Sequence, residues 1–416
     1  MIEWGISAGA HDASLTVVDG NKILFASHAE RYSGIKNDKD LNVDLIDAAL
    51  KFGKPNKIHW YEKPKLRAMR RLLAGQGLIR FSVGQYLEHF GLKDIPVEFA
   101  FHHESHAAAG FYTSPYDDAT ALVIDAIGEF DTASIWKCSG SKLKKKWSMD
   151  YPKSLGLFYS AMTDRIGLKA NEDEYILMGM VAYGDPEKYY DEVRNLWKSE
   201  NLHRGCRWWR PDDGDLDIYS VAAATQKVYE EEFEKLLIRA KMKDASQDNL
   251  VLMGGCALNC SANHIARKYF ENVWIMPNPG DAGSSLGAAA ALYGKHIEWK
   301  NPYLGYNLGG EYPINQILTE LKNNKIVAVA TGRAEYGPRA LGNRSILADP
   351  RDPDIKDKVN KIKKREQFRP FAPVVLEEFA SEWFDMDFTS PYMQYTVKCK
   401  YPDKIPSVVH KDGTSR

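Results

Sequence analysis

Ala121-Leu122-Val123-Ile124-Asp125-Ala126-Ile127-Gly128-Glu129-Phe130-Asp131-Thr132-Ala133-Ser134-Ile135-Trp136 reads as a strand, a turn bearing acids and a glycine, and a second strand. The turn Ser139-Gly140-Ser141 then leads into a return strand through Trp147. The same order occurs near the start of the chain. There Gly5-Ile6-Ser7-Ala8-Gly9-Ala10-His11-Asp12-Ala13-Ser14 runs into Leu15-Thr16-Val17-Val18, the turn Asp19-Gly20-Asn21, and Lys22-Ile23-Leu24-Phe25-Ala26. Small residues ahead of this first hairpin leave backbone N–H groups accessible, which is how a turn holds a phosphate. A unit that recurs in this order points to internal duplication, with two unrelated hairpins as the alternative.

Around these hairpins the spacing predicts helices over Leu41 to Phe52 and Leu66 to Phe90, with Glu30 to Lys36 as a polar loop. His102-His103-Glu104-Ser105-His106 followed by Ala107-Ala108-Ala109 predicts a helix that presents His102 and His106 on one face. Two imidazoles a turn apart suit a transition metal that finds further ligands elsewhere; one surface and one core histidine is the equal alternative. The residue four after His103 is Ala107, which excludes the zinc-protease pattern.

Further along, a helix from Ser154 to Gly167 and a long amphipathic one from Asp215 to Lys243 are expected. Leu250 to Met253 then reads as a buried strand running into Gly254-Gly255-Cys256-Ala257-Leu258-Asn259 at the opening of a helix. Such a junction either admits a nucleotide to the backbone or is a close-packed turn. Asp281, in a glycine-rich turn ahead of Ala288-Ala289-Ala290, either caps that helix or presents a carboxylate to a metal.

From Pro302 to Tyr312 the composition is that of a linker, followed by a helix from Ile314 to Lys322 and a strand from Ile326 to Ala330. Gly332-Arg333 through Arg344-Ser345 and Lys361 through Pro373 are two basic clusters interleaved with Gly, Pro and Phe. Arginine forks bind phosphate and carboxylate bidentately, so an anion site is expected here rather than a plain solvated face.

With 416 residues, 44% hydrophobic and 27% charged, the chain has the composition of a globular protein of two or three domains. A formal charge of −1 supplies no general attraction to nucleic acid or anionic membrane. No long apolar run and no basic leader is visible, and five cysteines in irregular spacing favour a reducing cytoplasm.

Taken in order, several motifs resemble the O-carbamoyltransferases that modify nodulation factors and antibiotics, nearly end to end. They are His11-Asp12-Ala13-Ser14, Glu30-Arg31 with Lys36, His102-His103-x-x-His106, Asp125 with Gly128-Glu129, Met178-Gly179-Met180-x-x-Tyr183-Gly184, Gly254-Gly255 with Asn259, Asp281-Ala282-Gly283, Glu335 through Arg351, and Arg365 to Pro373. The resemblance implies an α/β protein with a duplicated actin-like (sugar-kinase superfamily) nucleotide-binding domain over 1–305. The N-terminal part of a YrdC-like domain would follow over 306–416, since relatives continue past His410 to Arg416. It implies ATP-dependent transfer of a carbamoyl group from carbamoyl phosphate, through carbamoyl-adenylate, to a hydroxyl of a sugar, antibiotic or hydroxymethyl-nucleotide acceptor. Threonylcarbamoyl-type tRNA modification and a non-catalytic nucleotide-binding partner subunit are the alternatives.

By the same resemblance, His102, His106, Asp125 and Asp281 would hold a divalent metal, Fe(II) ahead of Zn or Mn, with Mg accompanying ATP. His11 would be the general base and Lys36 would stabilise developing negative charge. Gly128, Glu129, Gly254, Gly255, Asn259 and Gly283 would line the nucleotide, and Arg339, Lys364 and Arg369 would meet carbamoyl phosphate and ATP. Asn171 to Leu177 departs from the small-residue and lysine run of relatives, which bears on acceptor or nucleotide contacts. The expected partner is a small-molecule alcohol rather than a membrane; a hydroxymethyl base in nucleic acid is the less expected acceptor, and a homodimer is compatible with the reading.

Overall fold

The computed structural model describes residues 1–78, 81–212, 214, 216–244 and 247–416. The first hairpin belongs to an antiparallel meander of β1 (Ile2–Ser7), β2 (Ser14–Asp19) and β3 (Lys22–His28). After α1 (Glu30–Ser33) and α2 (Val43–Leu50), β4 (Lys57–Trp60) runs parallel to β1. Past α3 (Pro64–Leu73) and α4 (Val83–Glu88), β5 (Val97–Phe99) runs parallel to β4. The sheet order is β3-β2-β1-β4-β5.

After α5 (His102–Thr113) the pattern starts again. β6 (Asp118–Ile124), β7 (Asp131–Ser139) and β8 (Lys142–Asp150) form the second meander. Among the described residues four α-helices intervene, α6 (Leu155–Arg165), α7 (Glu174–Met180), α8 (Tyr190–Ser199) and α9 (Ile218–Lys243). Then β9 (Asn249–Met253) lies parallel to β6 and β10 (Asn272–Trp274) parallel to β9. This order, β8-β7-β6-β9-β10, repeats that of the first sheet. The duplication expected from the two hairpins is therefore a property of the whole core, which is actin-like.

Two helices exchange places between the halves. α5 follows the first sheet but packs on β6 and β9 of the second, while α10 (Ser284–Tyr293) follows the second sheet and packs on β1 and β4. They also pack on each other, and Ala107, Ala108, Phe111, Val251, Leu286 and Ala289 form part of the buried layer between the sheets. Small residues are what bring these helices so close. A Cβ on Gly287 of α10 would lie 1.9 Å from the Ser105 carbonyl oxygen of α5. The seam thereby fixes the start of α5, which bears the histidine pair, against the start of α10.

Some expected elements differ. The stretch from Leu66 to Phe90 is two helices rather than one, with the chain turning after Leu73; residues 79–80 lie outside the described residues. Residue 215 does too, and the long helix begins at Ile218, where Asp217 accepts hydrogen bonds from the Tyr219 and Ser220 amides. Glu30 to Lys36 contains one helical turn. The segment after Gly254 is a 3-10 turn, Gly255–Leu258, not an α-helix. Gly254 has φ +90° and approaches Ile124 so closely that a Cβ would lie 2.2 Å from its carbonyl oxygen. The chain is held there by tertiary contact rather than by helix propensity.

The expected linker from Pro302 contains β11 (Tyr303–Asn307), so the division expected at 305/306 falls within a strand. After α11 (Ile314–Asn324) come β12 (Ile326–Ala330), β13 (Arg333–Glu335) and β14 (Arg344–Ala348). β11 pairs antiparallel with β13 and β12 with β14. α12 (Ile355–Ile362) and a mostly irregular segment complete the chain. Tyr336 pins this region to the core: buried, its hydroxyl donates to the Ala282 carbonyl at 2.7 Å and lies 2.9 Å from Ser285 Oγ. Among the described residues no helix is long and apolar enough to cross a membrane.

Candidate active site

The first turn of α5 carries His102 and His106, the end of β6 delivers Asp125, and the 3-10 turn before α10 delivers Asp281. One ligand atom from each of the four lies within 4.8 Å of all the others. His102 Nε2 is 3.1 Å from Asp125 Oδ2 and 3.4 Å from Asp281 Oδ1. His106 Nε2 is 3.9 and 3.3 Å from the same two oxygens. The two Nε2 atoms face each other at 3.1 Å.

A divalent ion with bonds of about 2.0–2.2 Å needs donors roughly 3–4 Å apart, so two imidazole nitrogens and two carboxylate oxygens in this arrangement fit one. The alternative for Asp281, a cap on α10, does not hold: the cap position of that helix is Gly283, and Asp281 opens the 3-10 turn ahead of it. Ser284 Oγ lies 3.3 Å from His106 Nδ1 and orients that ring, whereas His102 Nδ1 is buried without a partner.

The electrostatics are those of a cluster balanced by charge. Burial opposes a charge on His102, but Asp281 and Asp125 outweigh it and hold the imidazole well above its ordinary pKa. Burial likewise opposes ionising Asp281, yet His102 and His106 hold it well below the carboxylate range. In Asp125 burial and the Asp281 charge act upward and the two histidines prevail, a net lowering.

Glu129 sits beneath this cluster. Its carboxylate accepts from the His102 amide at 3.1 Å to each oxygen and from the Lys63 amide at 2.8 Å. That corrects its expected place on the nucleotide: it is 6% exposed and its acceptors are spent on the starts of α5 and α3. Gly128 is likewise under the histidines, where a Cβ would meet His103 at 3.0 Å. The Gly254 amide donates to Pro279 and the Gly283 amide to Gly280, so neither is free for a nucleotide. In the first hairpin turn the Gly9 and Ala13 amides are also occupied, by the Lys39 and Asp38 carbonyls.

A cleft of about 1110 Å³ gathers the remaining candidates. His11, Lys36, His102, Asp125, Gly255, Asn259, Asp281, Arg339 and Arg369 all line it. The Gly255 amide donates to Asp125 Oδ1 at 3.1 Å, and the Asn259 amide is paired with Gln226 in both directions. His11 presents Nδ1 to Asp12 at 3.0 Å and Nε2 to the Asn171 carbonyl at 2.8 Å. Two acceptors on one ring call for two N–H donors, the imidazolium. Burial lowers its pKa, but Asp12 and Asp281 more than reverse this and raise it to about 9. In this arrangement His11 is charged at neutral pH, and accepting a proton requires release of the Asn171 contact.

Lys36 reaches the same segment, with Nζ 3.0 Å from the Glu172 carbonyl and 5.0 Å from the centre of the Tyr175 ring. The run from Asn171 to Tyr175 is thus a wall of the cleft.

The basic clusters separate by use. Arg333 and Arg344 donate to backbone carbonyls, and Arg351 is paired with Asp349. Arg339 has no hydrogen-bond or ion-pair partner among the described residues and is lowered to about 10 by burial and by Arg416. Arg369 contacts Glu366 at 2.6 Å and donates to Tyr175 Oη at 3.2 Å. Lys364 is a correction: α12 ends just before it, it lies exposed outside the cleft, and its neighbours Lys363 and Arg365 line the cleft instead. Part of that basic cluster lines the cleft, and which of its lysines does so shows only once the register after α12 is known. Arg70, also on the cleft wall, was missed because it reads as an ordinary helix position, and Tyr175 lies there too, within the Asn171 to Leu177 run.

Comparisons with known proteins bear on this site. A family model described as carbamoyltransferase N-terminus matches residues 79–214 and 211–290, and one described as carbamoyltransferase C-terminus matches residues 318–416. The uncharacterized protein sll1178 of Synechocystis is 33% identical, the alignment covering 97% of this chain and 80% of the relative. Nodulation protein NolNO of Sinorhizobium fredii is 28% identical over 98% of this chain and 69% of the relative. Nodulation protein U of Rhizobium tropici is 42% identical over 40% of this chain and 32% of the relative. Among solved structures, full-length HypF in the phosphate- and nucleotide-bound form aligns with a TM-score of 0.44 and 13% identity, covering 70% of this chain and 46% of that chain.

Proposed function

Because the chain belongs to the carbamoyltransferase family, we propose that it carries a carbamoyl group from carbamoyl phosphate, by way of carbamoyl-adenylate, to a hydroxyl of a small-molecule acceptor. The observation that carries this reading is one continuous cleft lined by His102, Asp125 and Asp281 and also by the partnerless Arg339. In the first reaction water would cleave carbamoyl phosphate to carbamate and phosphate, and the carbamate oxygen would then bond to the α-phosphorus of ATP as pyrophosphate leaves. Arg339 and Arg369, with Lys363 and Arg365, supply the cations such polyanions need. The region from 306 onward acts here as the YrdC-like adenylate-forming part.

In the second reaction the acceptor oxygen bonds to the carbamoyl carbon and the bond to AMP breaks. His102, His106, Asp125 and Asp281 would hold a divalent metal, Fe(II) by family resemblance, which would supply a Lewis acid for the phosphate and carbonyl oxygens. The Glu129 carboxylate fixes the start of α5, and with it the histidines, before substrate arrives. Once freed from Asn171 and with its Nε2 proton released to solvent, His11 takes the proton of the acceptor hydroxyl at Nε2 while Asp12 stabilises the imidazolium re-formed. Lys36 offsets negative charge at the same wall.

Incubation with carbamoyl phosphate, ATP and a panel of sugar, aminoglycoside and hydroxymethyl-nucleoside alcohols tests the proposal. Acceptor-dependent AMP and a carbamate ester by mass spectrometry are expected. Absence of any carbamate ester, even when synthetic carbamoyl-adenylate is supplied, rejects it.

A further inference from the structure

α3 carries a feature that carbamoyl transfer as described leaves unused. Arg70 is 7% exposed, lines the cleft, and has no hydrogen-bond or ion-pair partner among the described residues; its Nε is a buried donor with nothing to donate to. The carboxylate whose charge acts on it, Glu62, is committed elsewhere. Arg67 donates to it at 2.7 Å and to the Gly9 carbonyl at 3.0 Å, so that pair is closed without Arg70. Other cations are close by: Arg71, whose Nε is also buried without a partner among the described residues, and Arg204 lie near enough to act on His203 together with Arg70. Burial and the like charges of Arg67 and Arg71 lower the pKa of Arg70. A desolvated guanidinium among other cations is costly to keep unpaired, and a folded chain retains one where a ligand anion completes it.

Its position relative to the chemistry is fixed. The Lys63 amide at the start of α3 and the His102 amide at the start of α5 both donate to Glu129. One carboxylate therefore sets the helix of Arg70 and the helix of the proposed metal ligands. The surroundings of Arg70 also differ from those of the C-terminal cations: Arg67, Glu62, Arg71 and Tyr151 act on Arg70, whereas Arg416, Cys260 and Tyr175 act on Arg339.

We infer that Arg70 recognises an anionic group, a phosphate or a carboxylate, borne by the alcohol that accepts the carbamoyl group. The inference rests on the carbamoyl-transfer reading and narrows its acceptor class. A guanidinium fork fixes such a group in orientation as well as place, which would present one hydroxyl of a polyol to the reacting end of the cleft.

The test is calorimetric titration of the full chain, saturated with a non-hydrolysable ATP analogue so that the C-terminal cations are occupied. Matched alcohols serve as probes: glucose, glucuronate and glucose 6-phosphate, and 5-hydroxymethyluridine with its 5′-monophosphate. At least one anionic member should bind more tightly than its neutral counterpart, and the carboxylate and phosphate arms show which anion it is. Arg70→Gln should weaken that member by about 10- to 100-fold and leave the neutral one unmoved, with Arg70→Lys in between. Equal binding by wild type and Arg70→Gln, equal loss for neutral and anionic members, or no anionic preference at all overturns the inference. Melting curves accompany each variant, and if Arg70→Gln does not fold, Arg70→Lys decides by the same comparison. Carbamoyl transfer assayed in parallel separates the two readings. Transfer that ignores Arg70 removes this inference and keeps the activity; Arg70-dependent anion binding without transfer to any alcohol does the reverse.

Discussion

Four side chains from three places in the chain converge at the proposed metal site, and their protonation sets how it behaves. His102 is held well above its ordinary pKa by Asp281 and Asp125 against the opposing effect of burial, so a divalent ion entering the cluster must displace a proton. Metal affinity should rise as pH rises above the ordinary histidine range, with proton release on binding, measured by chelator competition and calorimetry; a pH-independent affinity would contradict the assignment. Ser284→Ala, which removes the hydroxyl 3.3 Å from His106 Nδ1, should weaken metal binding by about 10- to 100-fold.

His11 offers a second check at this scale. In the metal-free protein its ring should titrate near pH 9 by NMR, and Asp12→Asn should bring it down. Because the folded value lies above the ordinary 6.5, the His11 contribution to stability is complete below about pH 6.5 and is lost as pH rises through about 9. Of these residues the His102–His106 pair was legible in the sequence, since helical spacing alone places them together. Asp125 and Asp281 are distant from that pair in sequence: Asp281 stood open between a helix cap and a metal carboxylate, and only resemblance to a family joined it and Asp125 to the histidines.

The seam of α5 against α10 holds the histidines and Asp281 in register. Gly287→Ala would drive a Cβ to 1.9 Å from the Ser105 carbonyl, a backbone atom that cannot swing aside. A loss of about 1–3 kcal/mol in denaturant unfolding is expected, together with weaker metal binding, because Ser105 lies between the two histidines on α5. Glu129→Ala should cost about 1–3 kcal/mol as well, by stranding the amides of His102 and Lys63. Unchanged stability in either variant would show that these contacts do not govern the seam. Period-two runs and tight turns made the hairpins readable. Glu129 was misplaced because a turn acid beside a glycine looks alike whether it faces a ligand or caps two helices.

Across the whole molecule, Tyr336 anchors the C-terminal region on the Ala282 carbonyl, next to Asp281, and this brings Arg339 into the same cleft as the histidine cluster. Arg339→Gln should therefore abolish adenylate formation, followed as carbamoyl-phosphate-dependent exchange of pyrophosphate into ATP. The duplicated architecture was visible as two copies of one hairpin order. The joining of the C-terminal cations to that core was not, because it depends on one buried tyrosine and on β11 pairing with β13 where composition indicates a linker.

The most direct measurement of the central claim is turnover of synthetic carbamoyl-adenylate with a hydroxyl acceptor, comparing wild type with His106→Ala. Carbamate ester and AMP should form in equal amounts with the wild type and fall at least about 100-fold with His106→Ala, as loss of a metal ligand requires. Turnover undiminished in His106→Ala would contradict carbamoyl transfer at the His102–His106–Asp125–Asp281 site.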